Sequence, residues 1–138
     1  MTDVISLNGR VIDLSDRLTK TTTVAASPAA ASETVIGTLT LPSGLTIVEG
    51  IYLWGWAAWT VGTSGDGVNL KIRQTGTSGT TIAATGLVTS TAANLDSRSV
   101  AGFDASPVGA QVYVLTMTVH SGAAESTVSA VSLIALAV

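Results

Sequence analysis

Cysteine is absent from this 138-residue chain, and histidine occurs once, as His120. Without cysteine there are no disulfides and no thiolate metal sites, and the redox compartment leaves no trace in the sequence. One histidine cannot build a multi-imidazole metal centre. Neither a cofactor nor a metal is therefore expected. Also missing is a G-x-S-x-G elbow, so a serine triad drawn through His120 with Asp96 or Asp104 lacks the turn that would present its nucleophile. Asp66, Asp96, Asp104 and Glu125 sit in or beside turn-forming clusters, where a carboxylate bonds its own backbone. Turn chemistry accounts for them without a glycosidase pair. The loop from Gly62 to Gly67 offers Asp66 as its one acidic cation ligand, and no phosphate-loop lysine follows it. The chain reads as a non-enzyme.

Charge is scarce. Charged residues make up 11% of the chain, against about 25% in an ordinary domain. The six basic residues, Arg10, Arg17, Lys20, Lys71, Arg73 and Arg98, are scattered and net charge is −3, which argues against a phosphate-binding stripe and so against nucleic acid as a partner. Apolar residues reach 46% and mean hydropathy is +0.53. Yet the longest apolar stretches, Ile51 to Val61 and Val131 to Val138, fall short of the roughly 20 residues that cross a bilayer, so no membrane partner is expected. The start, Met1-Thr2-Asp3-Val4, lacks the basic and apolar regions of a secretory signal. A chain this poor in charge leaves weakly polar surface facing water unless something covers it, and copies of itself are the simplest cover.

What the sequence does have is a β pattern. Val4-Ile5-Ser6-Leu7 and Arg10-Val11-Ile12-Asp13-Leu14 flank Asn8-Gly9, the pair that supplies the two positive φ angles of a type I′ turn, and predict a small hairpin. A short helix is the rival, since Val11, Leu14 and Leu18 are spaced i, i+3 and i+7. Lys20 to Ser32 is rich in Thr, Ala and Ser and reads as a linker, so the chain divides into an arm and linker over 1–32 and a sandwich over 33–138. In the second segment, strands are expected at Thr34–Leu41, Thr46–Val61 with a break near Glu49-Gly50, Val68–Gln74, Thr80–Ser90, Ser97–Asp104, Gln111–His120 and Ser126–Val138. Such a series predicts an all-β jelly-roll or Greek-key sandwich preceded by an extended N-terminal arm.

Two of these strands are apolar on both faces. Alternation puts Tyr52, Trp54, Trp56 and Ala58 on one face and Ile51, Leu53, Ala57 and Trp59 on the other. In the last strand it puts Val128, Ala130, Ser132, Ile134, Leu136 and Val138 opposite Val131, Leu133, Ala135 and Ala137. A strand apolar on both sides is covered on both sides. Core on one side and a neighbouring subunit on the other is the plain explanation, with Trp54, Trp56, Trp59, Tyr113, Leu133 and Leu136 as interface candidates. The sharper alternative makes Trp54 and Trp56 a platform on which a glycan stacks.

With Ile51-Tyr52-Leu53-Trp54-Gly55-Trp56, Val112-Tyr113-Val114-Leu115 and Val131 to Val138 set among Gly/Ser/Thr loops, the chain resembles the small jelly-roll proteins that stud tailed bacteriophages. These are the head-cementing, head-fibre or decoration proteins, similar in layout to trimeric tumour-necrosis-factor-like jelly rolls. The resemblance implies a homotrimeric virion protein, made in the host cytoplasm, that decorates or cements the outer surface of a capsid. It implies the major capsid protein as partner, gripped by an arm through Val4, Ile5, Leu7, Val11, Ile12, Leu14 and Leu18. The alternative it leaves open is a carbohydrate- or receptor-binding module of a tail fibre, with a glycan as partner.

Overall fold

The structure, a computed structural model, describes residues 4–7, 10–13, 18–22, 28, 31–62, 67–91, 94–120 and 126–138. Every regular element among them is a strand: β1 (Val4–Leu7), β2 (Arg10–Asp13), β3 (Leu18–Thr22), β4 (Glu33–Thr40), β5 (Ile51–Val61), β6 (Gly67–Gln74), β7 (Thr81–Ala84), β8 (Val88–Thr89), β9 (Asp96–Asp104), β10 (Val112–His120) and β11 (Ser126–Ala137). One sheet has the order β3-β11-β5-β9. The other runs β4-β10-β6-β7, with β8 also pairing β6. β7 and β8 lie along the same side of β6, at Lys71–Arg73 and Gly67–Val68, and so act as one interrupted strand. Counted that way, β3 to β11 are eight successive strands, and the sheets hold the first, eighth, third and sixth against the second, seventh, fourth and fifth. Two interleaved Greek keys of this order make a jelly roll.

Expected and observed strands agree closely. The long run from Thr46 begins its strand at Ile51, because Gly50 has φ +155°, and a Cβ there would strike the Asp104 carbonyl and the Phe103 ring. The expected strand Thr80–Ser90 divides into β7 and β8. Between the sheets lie Ile51, Leu53, Ala57, Trp59 and Val61 from β5, facing Leu39, Leu70, Ile72, Leu115, Met117 and Val119. Gly55 belongs to this inner row, and a Cβ on it would stand 2.7 Å from Leu115 Cδ1, so the sheets approach closely there because it has none.

Strict alternation fails in β11. Val128 pairs with Trp59 and Ala130 with Ala58, leaving Ser129 as a bulge that re-phases the strand. Val128, expected beside Ile134 and Leu136, is therefore buried in the core with Val131 and Leu133.

At the N-terminus β1 and β2 pair antiparallel, with Ile5 opposite Ile12 and Leu7 opposite Arg10. The hairpin expectation holds and the helix does not. Asn8 and Gly9, the expected turn, lie outside the described residues. β3 falls within the segment read as arm and linker, yet it is hydrogen-bonded into the sandwich as the edge strand beside β11. Pro28 is buried, and its carbonyl accepts from Ser126 Oγ at 3.0 Å.

Candidate functional site: an aromatic sheet face

Register across the β3-β11-β5-β9 sheet assembles its outer face row by row. Phe103 stands opposite Tyr52, which stands opposite Leu136, which stands opposite Leu18. The next row on this face is Ala101, Trp54, Ile134 and Lys20, and the one after it Ser99, Trp56, Ser132 and Thr22. Tyr52, Trp54, Trp56 and Phe103 keep 45%, 42%, 39% and 41% of their surface exposed. Tyr52 stacks on Trp54 with centroids 5.9 Å apart and meets Phe103 in a tilted contact at 4.6 Å, so these three rings are continuous, and Trp56 stands two residues further along β5 on the same face. At about 200 Å² per aromatic side chain, the exposed fractions amount to roughly 350 Å² of ring surface. The largest apolar patch on a typical monomer is about 300–600 Å² and is often functional, so this one is a candidate contact surface. It is under half of the roughly 800 Å² that each partner gives to a standard interface, so it would be the dry centre of one, with Ser99, Ser132 and Lys20 near its polar margin.

The outer face of the second sheet is built differently. Glu33 on β4 accepts hydrogen bonds from Arg73 Nε (2.5 Å) and Nη2 (2.9 Å), Lys71 Nζ (3.1 Å) and Thr116 Oγ1 (2.6 Å). Burial opposes ionisation of this carboxyl, but the hydrogen bonds from Arg73, Thr116 and Lys71, with the Lys71 charge, outweigh it and hold the pKa at about 2. Arg73 also donates to the Gly79 carbonyl at 2.9 Å, and its guanidinium is held above its ordinary pKa by Glu33, against the opposing effect of burial.

Of the six interface candidates, Trp54, Trp56 and the half-buried Leu136 lie on the aromatic face. Trp59, Tyr113 and Leu133 do not: all three are fully buried between the sheets, which reassigns them to the core. Trp59 Nε1 donates to Ser90 Oγ at 3.0 Å, and Tyr113 Oη donates to Asp104 Oδ2 at 2.7 Å. Burial, then the hydrogen bond to Asp104 and its charge, raise the Tyr113 pKa. Asp104 also receives Gln74 Nε2 at 2.6 Å and the Ser106 amide at 3.0 Å, so it locks a strand end. Alternation alone had placed Tyr52 on this face. No local signal could have added Phe103, because its neighbourhood with Tyr52 exists only once β9 pairs with β5. In the arm, Val4, Ile5, Leu7, Val11 and Ile12 fall in β1 and β2 and Leu18 begins β3, while Leu14 lies outside the described residues, as do Asp66 and Glu125. His120 is exposed at the end of β10.

The strand order defines the class as a jelly-roll β-sandwich. Solved structures that superpose on it include several from infectious bursal disease virus. The T13 viral particle matches with a TM-score of 0.61 and 14% identity, covering 99% of this chain and 36% of that one. The Gx strain gives 0.57, 14%, 99% and 38%, and the VP2 subviral particle 0.56, 15%, 99% and 38%. The chain thus spans less than two fifths of the length of these neighbours, and at such identities the likeness is one of fold. No protein-family model and no curated protein matches the sequence.

Proposed function

We propose that this chain is a non-enzymatic structural protein of a virion, which decorates or cements the outside of a bacteriophage capsid as a homotrimer. The observation that carries the reading is the aromatic patch of Tyr52, Trp54, Trp56 and Phe103, exposed on a jelly roll whose fold is shared with virus-particle proteins. Burying such a patch in a subunit contact gains about 25 cal/mol per Å² of apolar surface. Trimers fit three-fold positions of an icosahedral lattice. In this reading the sheet face and the arm from Val4 to Leu18 are the two surfaces that meet neighbours. Sedimentation of the full chain at micromolar concentration is expected to give a trimer that co-sediments with phage capsids lacking a decoration protein. A monomer that stays in the supernatant sinks the reading.

The exposure of Trp54 and Trp56 also favours a second reading, a carbohydrate- or receptor-binding module of a tail fibre, because exposed indole faces stack on pyranose rings. Quenching of tryptophan emission by host-surface glycans, abolished in Trp54→Ala and Trp56→Ala, would support it. Unchanged emission across such glycans removes it.

A further inference from the structure

We infer that the aromatic face is covered by the β1–β2 hairpin of a second copy of this chain. The inference rests on the homotrimer in the reading above, but not on the capsid. Its first ground is that β1 and β2 form a two-stranded sheet of their own, pairing with neither sheet of the sandwich. A lone two-stranded hairpin is marginal in water and becomes stable by packing on something else. Of its four facing pairs, Ile5 with Ile12 is apolar on both sides, and Val4 with Asp13, Ser6 with Val11 and Leu7 with Arg10 each join an apolar residue to a polar one.

The second ground is where the hairpin is tethered. The next strand, β3, is the edge of the sheet that carries the patch, and its first residue, Leu18, enters at the row of Leu136, Tyr52 and Phe103. The hairpin is thus anchored beside the apolar end of an aromatic face. The third ground is reach. Five Cα–Cα steps separate Asp13 from Leu18, at most about 17 Å when fully extended. Strands lie about 4.8 Å apart and stacked layers about 10 Å, so a layer over β5 is about 14 Å from β3 and one over β9 about 17 Å. The tether would thus reach its own β5 rings, at about 14 of its 17 Å, yet within one copy the four rings remain 39–45% exposed. Each copy then gives one hairpin and receives one, a head-to-tail contact that closes into a ring when the rotation is three-fold.

The absence of cysteine makes the test direct. Full-length chains carrying Arg10→Cys alone, on the hairpin face of Ile5 and Ile12, and Ser99→Cys alone are mixed and treated with a short bis-maleimide. The expected product is the mixed cross-linked dimer, in large excess over either self-pair. In the double variant, closure within one chain and no dimer overturns the inference in favour of a hairpin folded on its own copy. A second arm uses Ile5→Asp with Ile12→Asp in the full chain, expected to convert trimer to monomer, with a red shift of tryptophan emission and an unchanged sandwich melt. If this variant remains a trimer with unshifted emission, the hairpin is not the cover. Should that trimer also fail to bind capsids, the hairpin's partner is the shell, and the inference falls while the decoration reading survives. A wild-type chain that is monomeric at micromolar concentration removes both.

Discussion

The two outer faces of this sandwich bury their exceptional side chains by opposite means. On the β4-β10-β6-β7 sheet, a carboxylate, an ammonium and a guanidinium satisfy one another within the chain, with Thr116 completing the set. On the β3-β11-β5-β9 sheet, Tyr52 contacts Trp54 and Phe103, and these rings and Trp56 still leave about two fifths of themselves in water. Polar residues are not what separates a free face from a binding face, since a polar network can be closed. What separates the Glu33 cluster from the aromatic patch is whether its chemistry is complete inside one copy, although Asn69 Oδ1 and Thr118 Oγ1, paired in register on the cluster's face, are buried without a hydrogen-bond partner.

The largest expected effect lies on the closed face. Glu33→Ala removes four accepted hydrogen bonds and leaves Arg73, Lys71 and the buried Thr116 hydroxyl without their shared partner. Breaking a partly buried network by deleting one member costs about 3 kcal/mol. Trp54→Ala or Trp56→Ala, on the open face, is expected to change the unfolding free energy of the isolated copy by about 1 kcal/mol or less. Urea titrations of the three variants below the association concentration test this, and a Trp54→Ala loss equal to that of Glu33→Ala would erase the distinction.

Acid should act on the same face. The folded pKa of Glu33 is held at about 2, below its ordinary 4.5. A depressed carboxyl contributes stability that is complete above the unfolded value and is lost as pH falls through the folded one. Between about pH 5 and pH 2 the wild type should therefore lose a few kcal/mol through this group alone. Melting across that window should fall more steeply in wild type than in Glu33→Gln, and parallel curves would show that the network does not act through this carboxyl. Tyr113 runs the other way: with its pKa raised, its contribution is complete below about pH 10 and is lost as pH rises beyond that. Tyr113→Phe should flatten the alkaline limb of the melting curve.

The parts of this architecture that repeat every second residue were legible in the sequence. Alternation placed Tyr52, Trp54 and Trp56 together against Leu53 and Trp59, and the Asn-Gly pair marked the hairpin. It misplaced Val128, because the extra residue at Ser129 carries no local signature and shifts the phase only through pairing with Ala58 and Trp59. β3 escaped notice for a related reason: its Leu-Thr-Lys-Thr-Thr is too polar and short to be told from a linker until β11 is beside it. Glu33, Lys71, Arg73 and Thr116 come from three strands, so their convergence is a property of the strand order and not of any motif. The same holds for Phe103. Trp59 and Leu133 were read as interface candidates because a doubly apolar strand does not say which of its faces is inner.

The smallest effect gives the sharpest contrast, because it compares like with like. Val35 on β4 is 38% exposed on the closed face, and Ile134 on β11 is partly buried on the open one, between Trp54 and Lys20 in register. Each is a β-branched residue that suits a strand, and threonine keeps that branching while adding a hydroxyl. At Val35 the hydroxyl faces a surface already wet and polar, so Val35→Thr should change stability by about 0.5 kcal/mol or less and leave the oligomeric state alone. At Ile134 the same change places a hydroxyl in the dry centre of the proposed contact. There an unpaired polar group costs about 1–3 kcal/mol, felt only when the contact forms. Ile134→Thr should therefore weaken trimer formation by about tenfold or more in sedimentation equilibrium, with the melting of the dilute protein nearly unchanged. Equal association constants for the two variants would mean that the β11 row is not covered in the assembly, and the contact would have to be confined to Trp54, Tyr52 and the β9 side.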